Sequence, residues 1–373
     1  MHVLHVCHRY YPVPGGSERI AQMLAEGAVA RGHRATVVTR REPNTAEHET
    51  LNGVEVHRIP TREWFGVRVP SGYLRLLRRL DADVLHMHGN RIWCADFYFP
   101  FARFFDWPQL VTGHGFYQYA MHPRAFDRWY FERYFPRVLR QFDAYAADTE
   151  YERQQLISWG VDPGRVPRIP LGAAVEEFRE SPIPVDAVRK GWGLSTPNIG
   201  VYVGGFFENK RVDRLIEAAS RTGGQWGLVL IGRDVPESPF NRAYCESLTR
   251  KLGVAVRFAG ELPRPETVAS FLAADAVLSA STYEGFGVTL AEAMAAARPF
   301  IAWSTGAAPE MAATGGGIVV RSPEEFVSAL KRLADAETRG EMGRHGRAAS
   351  PEWSFSAMTD RYLALYERLR SSP

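Results

Sequence analysis

The chain has 373 residues, which suggests two domains of about 150–200 residues rather than one core. Apolar residues make up 45% and charged residues 23%, a globular mixture that excludes a wholly disordered chain. Lys+Arg 45 against Asp+Glu 42 leaves +3, too near balance for a nucleic-acid binder that works by charge.

Residues 2–7 (HVLHVC) read as a first strand. No basic residues lead it and His5 and His8 cut its apolar run, so a signal peptide is not expected. Pro12, Pro14, Gly15 and Gly16 form a loop. Residues 17–31 then place Ile20, Met23, Leu24, Gly27 and Ala28 at helical spacing, and Gly32 ends the helix. Further strands are predicted over 35–39, 54–59, 84–88 and 109–112. Residues 163–197, rich in Pro and Gly, read as a connection. Beyond it the alternation starts afresh, with strands over 199–203, 227–231, 255–259, 276–279, 299–302 and 317–320. Residues 356–370 carry Met358, Tyr362, Leu365, Tyr366 and Leu369 as an amphipathic stripe.

Strands alternating with helices predict an α/β chain of two Rossmann-like domains with parallel sheets facing across a cleft. The expected division is 1–175, completed by 355–373, and 176–354. Ligands of such sheets sit at the carboxyl ends of the strands. Cys7, Cys94 and Cys245 form no CxxC and no metal-ligand spacing, which fits a reducing, cytoplasmic setting. No apolar run approaches the roughly 18–20 residues that span a bilayer. Of the 45 basic residues only Lys190, Lys210, Lys251 and Lys331 are lysines.

The sharpest motif is Glu284-Gly285-Phe286-Gly287-Val288-Thr289-Leu290-Ala291-Glu292, which leaves a strand and enters a helix predicted over 290–297. Gly285 and Gly287 let backbone approach a ligand, and a helix N-terminus suits a diphosphate. Two carboxylates eight residues apart suit the hydroxyls of a sugar and a ribose. Spacing alone leaves a second reading open, in which the glycines only make a turn and the two glutamates are a surface and a helix residue.

The stretch 283–294 resembles the E-x7-E signature of retaining GT-B glycosyltransferases of family 4. Residues 5–18, 83–89 (DVLHMHG), 111–115 (VTGHG), 169–172, 203–213 (VGGFFENKRVD) and 304–310 resemble other segments of that family in its order. The resemblance implies transfer of a sugar from a nucleoside-diphosphate sugar to an acceptor hydroxyl, in bacterial glycan, glycolipid or glycoside biosynthesis. It implies that Glu284 contacts the donor sugar and Glu292 the ribose. The diphosphate would meet Phe286, Gly287, Val288 and Thr289, with Gly285 opening the turn and Gly15 and Gly16 admitting the β-phosphate. Lys210 would neutralise the leaving group. His114 would stand near the anomeric carbon, with His88 and Tyr117 toward the acceptor. No metal and no cofactor beyond the nucleotide-sugar are implied, because a lysine and a helix N-terminus can hold the leaving charge. The spacing of Asp81 and Asp83 matches a DxD motif, but they precede a strand and read as a turn.

Two departures stand out: Gly205 follows Gly204 where the family usually carries an arginine, and Leu171 replaces an asparagine. Arg211 and Arg233 are the candidates to supply the missing cation. Two basic, aromatic stretches, 62–79 and 124–140, suit either an amphipathic helix with core aromatics or a peripheral membrane contact serving a lipid-linked or anionic acceptor. A sugar or small-molecule acceptor is the other option. The alternatives to a transferase are a nucleotide-sugar 2-epimerase of the same fold and a non-catalytic subunit with a weakened donor site.

Overall fold

The computed structural model describes residues 1–13, 15–64, 67–89, 97–115, 125–181 and 183–371. They form two compact units, residues 1–172 with 355–373, and residues 173–354.

The first unit holds β1 (His2–Val6), β2 (Arg34–Arg40), β3 (His48–Leu51), β4 (Val54–Ile59), β5 (Thr61–Trp64), β6 (Val67–Pro70), β7 (Val84–His88), β8 (Gln109–Thr112) and β9 (Ala144–Ala146). Seven of them make one sheet in the order β3-β4-β2-β1-β7-β8-β9, parallel except for the edge strand β3; β5 and β6 pair as a separate hairpin. β1 lies mid-sheet and all five of its residues are buried, so its polar residues must find partners inside the protein. His2 does so through Thr36 Oγ1 at 2.8 Å, and Asp83 accepts the His2 backbone N–H at 2.7 Å. Asp83 is therefore a strand-joining residue, as the turn reading requires.

The helix Gly16–Val29 buries Ile20, Ala21, Leu24, Ala25 and Ala28. At Gly27 an added Cβ would lie 2.6 Å from Thr359 Oγ1, so the helix Phe355–Ser371 packs here at a distance only glycine permits. That last helix buries its predicted stripe in the first unit. Its Tyr366 hydroxyl meets His86 Nδ1 at 2.7 Å, and its Tyr362 hydroxyl meets Thr112 Oγ1 at 3.0 Å.

The second unit carries β10 (Asn198–Val203), β11 (Trp226–Ile231), β12 (Val256–Gly260), β13 (Ala276–Ser279), β14 (Phe300–Trp303) and β15 (Gly317–Val320). They form a wholly parallel sheet in the order β12-β11-β10-β13-β14-β15. Residues 173–197, the later part of the expected connection, belong to this unit and include a 3-10 turn at Val175–Phe178 and a helix at Val185–Gly191. The helix expected over 290–297 sits at Val288–Ala295. It stops early because Ala297 turns left-handed at φ 56° and Arg298 N–H bonds back to Ala293 O. In each unit the parallel order gathers the loops that follow the strands along one edge.

Candidate active site

In the second unit, two loops on that edge are laced together before any charge is considered. Thr282 N–H donates to Asn209 O at 2.8 Å, and Asn209 Nδ2 donates to Tyr283 O at 3.1 Å. Asn209 is buried, so these bonds fix the loop after β10 against the loop after β13. The next residue of each loop then meets: Lys210 Nζ lies 2.7 Å from Glu284 Oε1, with side chains 24% and 18% exposed. Such a pair keeps its charges near water, where a ligand can reach them.

Behind Glu284 the chain turns tightly. Phe286 packs buried against Trp353, and its carbonyl accepts Ala307 N–H at 2.8 Å. At Gly306 (φ 55°) an added Cβ would stand 2.6 Å from Phe286 O, so the 304–307 loop closes on the 284–286 loop only as glycine. Gly287, at φ 102°, begins the helix Val288–Ala295 with no side-chain cap. The first amides of this helix, at Val288 and Thr289, thus keep the orphan donors and positive dipole end that suit a phosphate.

Glu292, two turns along, is buried. Burial raises its carboxyl above the ordinary range, and Arg264 pulls it back. Arg264 Nη1 donates to Glu292 Oε1 at 2.8 Å and its Nε to Glu177 Oε2 at 2.6 Å, with the guanidinium over Phe178. Nearby on the same edge, Phe206, Gly232, Arg233, Asp234, Arg242, Gly260 and Glu261 help line a cavity of about 220 Å³.

The first unit has its own pocket, about 210 Å³, lined by Cys7, His8, Arg9, Ser17, Glu18, His88, Gly89, Gly113 and His114. The strands β1, β7 and β8 deliver these residues from their carboxyl ends, and Ser17 and Glu18 open the first helix. An added Cβ at Gly16 would meet nothing within 4 Å, so this helix start faces open space; at Gly15 it would meet the Glu18 carboxylate. His114 is left-handed at φ 57°. A histidine in this region carries backbone strain of order 1–3 kcal/mol, which the surrounding structure must offset.

A family model described as glycosyl transferase 4-like domain matches residues 15–172, and one described as glycosyl transferases group 1 matches residues 185–349. The two matches follow one another along most of the chain. The chain belongs to the GT-B glycosyltransferases. Over 373 aligned residues it is 26% identical to the GDP-mannose:cellobiosyl-diphosphopolyprenol alpha-mannosyltransferase of Xanthomonas campestris, covering 90% of this chain and 89% of the relative. Over 393 it is 26% identical to a GDP-mannose-dependent alpha-mannosyltransferase of Mycobacterium tuberculosis, covering 98% and 96%. The fold is that of sucrose-phosphate synthase from Thermosynechococcus elongatus, with TM-score 0.78 over 99% of this chain and 98% of that one at 21% identity.

Within this glycosyltransferase, Lys210, Glu284, Gly285, Phe286, Gly287, Val288, Thr289 and Glu292 share one edge of the second unit, while Gly15, Gly16, His88 and His114 share one edge of the first. Tyr117 lies outside the described residues. Two of the expected residues are engaged within the protein. Arg211, expected at the donor, turns back on Asp213 in a two-bond pair (Nε–Oδ1 3.0 Å, Nη2–Oδ2 2.7 Å) and lies over the Phe240 ring. Its left-handed backbone, φ 48°, points it that way. His88, expected at the acceptor, spends both ring nitrogens on His5 and His114. Asn209, Arg264, Asp148 and Glu152 escaped sequence reading. No local spacing marks them, because each acts across a loop or strand boundary.

Proposed function

We propose that this glycosyltransferase is a retaining, metal-independent enzyme. It moves a sugar from a nucleoside-diphosphate sugar to an acceptor hydroxyl in bacterial glycan or glycolipid biosynthesis. The observation that carries the reading is the uncapped helix start at Gly287 standing next to the Lys210–Glu284 pair. As the sugar leaves, charge develops on the diphosphate; the ammonium and the helix amides meet that charge without a metal. Glu284, paired to the same ammonium, is then a sugar-positioning group rather than a covalent nucleophile. Glu292 holds the ribose from its place on Arg264, and the cavity at Gly260 takes the base.

Arg233 is the better substitute for the arginine that Gly205 lacks. Its Cγ lies 3.4 Å from where a Gly205 Cβ would stand, and its guanidinium covers the Phe207 ring. The two relatives cited above are GDP-mannose enzymes by name, which puts GDP first among nucleotides. One of them is named for a diphosphopolyprenol acceptor. On this chain the aromatics of the 125–139 helical segment divide: Tyr130, Phe131 and Phe135 are core, but Phe126 and Trp129 are more than half exposed beside Arg128, Arg133 and Arg137. This face fits an anionic lipid surface. Among the described residues no helix is long and apolar enough to cross a membrane.

The test is a thermal-shift panel of GDP, UDP, ADP and dTDP on wild type and Glu292→Ala. Selective stabilisation by one nucleotide, weakened in the variant, is expected. No stabilisation at millimolar ligand overturns the donor site and leaves a non-catalytic subunit. The anomeric configuration of the first product, read by NMR, decides retention. Sedimentation with anionic vesicles, lost in a Phe126→Ser, Trp129→Ser double variant, decides the lipid contact.

A further inference from the structure

Parallel pairing of β1, β7 and β8 sets His5 beside His86 and His88 beside Thr112. His5, His86 and His88 present ring nitrogens within 4.8 Å of one another, a spacing that would admit a metal ion. Hydrogen bonds account for five of those six nitrogens instead. His86 uses both on Tyr366 and Thr112, His88 uses both on His5 and His114, and His5 uses Nδ1 on His88. What remains is a line of side chains. His5 Nδ1 meets His88 Nε2 at 3.0 Å, His88 Nδ1 meets His114 Nε2 at 3.2 Å, and His114 Nδ1 faces Asp148 Oδ2 at 3.5 Å.

A neutral imidazole carries one N–H and one bare nitrogen. Each link needs one of each, so the line has only two proton arrangements. With the protons on Nε2, the line ends in two penalties. The His5 Nε2–H is a buried donor without an acceptor, and the bare His114 Nδ1 faces a carboxylate oxygen. With the protons on Nδ1, His114 points its N–H at Asp148, and the orphan atom at the His5 end is a bare nitrogen, the cheaper one to leave unpaired. Burial keeps two of the imidazoles neutral: His5 is held down to about 3, and His88 well below the ordinary histidine range.

Asp148, 1% exposed, stands at the end of the line just after β9. The second acid beside it is Glu152, whose Oε2 accepts Asp148 N–H at 2.8 Å and whose Oε1 accepts the Tyr145 hydroxyl at 2.9 Å. Burial and Asp148 push the Glu152 carboxyl up to about 8; burial raises the Asp148 carboxyl as well, and the His114 ring beside it pulls it back down.

We propose that Asp148 is a positioning residue that holds the proton on Nδ1 of His114, His88 and His5 together. It thereby presents His114 to the pocket with Nε2 against His88 and Nδ1 turned to Asp148. This rests on the reading that His114 serves the transfer. It deepens that reading, because a ring so engaged cannot act as a base and contributes by its fixed position and left-handed backbone.

The test uses the full chain with 15N-labelled histidine and long-range 1H–15N NMR, which separates the two tautomers and needs no substrate. Wild type is expected to show protonated Nδ1 and bare Nε2 at all three rings. Asp148→Asn is expected to abolish that single pattern at all three together, including His5, two links from the substitution. A packing residue would not move the His5 proton. Protonated Nε2 at His114 in wild type overturns the proposal, and so does an Asp148→Asn spectrum in which His5 and His88 keep the wild-type pattern. If Asp148→Asn does not fold, the wild-type spectrum still decides. The outcome is independent of nucleotide binding, so failure here and failure of the donor panel are told apart.

Discussion

The two units handle buried polarity in opposite ways. The first unit buries a row of titratable side chains under its pocket, with His5, His86 and His88 held below and Glu152 held above their ordinary ranges. The second unit keeps its charges and pairs them, Lys210 with Glu284 and Arg264 with Glu292, each pair retaining one group near water. A buried hydrogen-bonded network gives fixed geometry. Paired charges at a loop edge give a site that can exchange one partner for a charged ligand. The difference suits a division in which one unit shapes the reaction space and the other holds a diphosphate.

Acid is the strongest way to break this comparison. The folded state keeps His5, His86 and His88 neutral, while the unfolded chain binds their protons below about pH 6.5. The His5 contribution is therefore present above pH 6.5 and lost as pH falls toward 3, by at most about 1.4 kcal/mol per pH unit, and His86 and His88 act in the same direction. Unfolding free energies from denaturant titrations between pH 7 and pH 4 should fall by several kcal/mol in total, with the first unit's probes leading; coincident loss in both units would erase the contrast. Next in size, Arg264→Met strips the buried Glu292 of its partner and should cost about 2 kcal/mol, less than for a fully buried pair because Arg264 is 44% exposed. Urea unfolding reads this, and an unchanged midpoint would show that Glu292 is held some other way.

Glu152→Gln sharpens the contrast from the alkaline side. The folded state holds the Glu152 proton up to about pH 8, whereas the unfolded carboxyl releases it near 4.5. Wild-type stability from this group is full below pH 4.5 and is lost as pH rises to 8, by about 1.4 kcal/mol per unit at most. The variant should lack that slope, which a pH series of midpoints would reveal. The smallest stability effect belongs to Lys210→Ala, under about 1 kcal/mol, because its pair lies near the surface. The same variant should weaken binding of the stabilising nucleotide tenfold or more by calorimetry. A Lys210→Ala protein that binds as wild type would detach the cation from the diphosphate.

Much of the fold was legible because its strands are short stretches with Val, Leu or Ile at most inward positions, alternating with helical patterns. Val54–Ile59, Val84–His88, Gln109–Thr112 and Ala276–Ser279 stand where expected. His48–Leu51 was not legible, since HETL is a polar edge strand, and Ala144–Ala146 is too short to carry a period. The motif Glu284–Glu292 was legible because turn glycines and a helix start are local features. Arg264 and Asn209 were not, because they reach Glu292 and Tyr283 across 28 and 74 residues. Asp148 lay hidden for another reason: it sits in an ordinary stretch, ADTEYE, and gains meaning only when β8 and β9 lie side by side.

The last helix has a consequence for the order in which the protein is made. Residues 355–371 supply Thr359 against Gly27 and the tyrosine hydroxyls that receive His86 and Thr112. On the ribosome the whole second unit is synthesised between the first sheet and this helix. The first sheet thus waits, with its buried histidines short of their tyrosine partners, while the later unit has all its strands in hand. The unit begun first is completed last, and its exposure during translation is the interval in which a chaperone has most to cover.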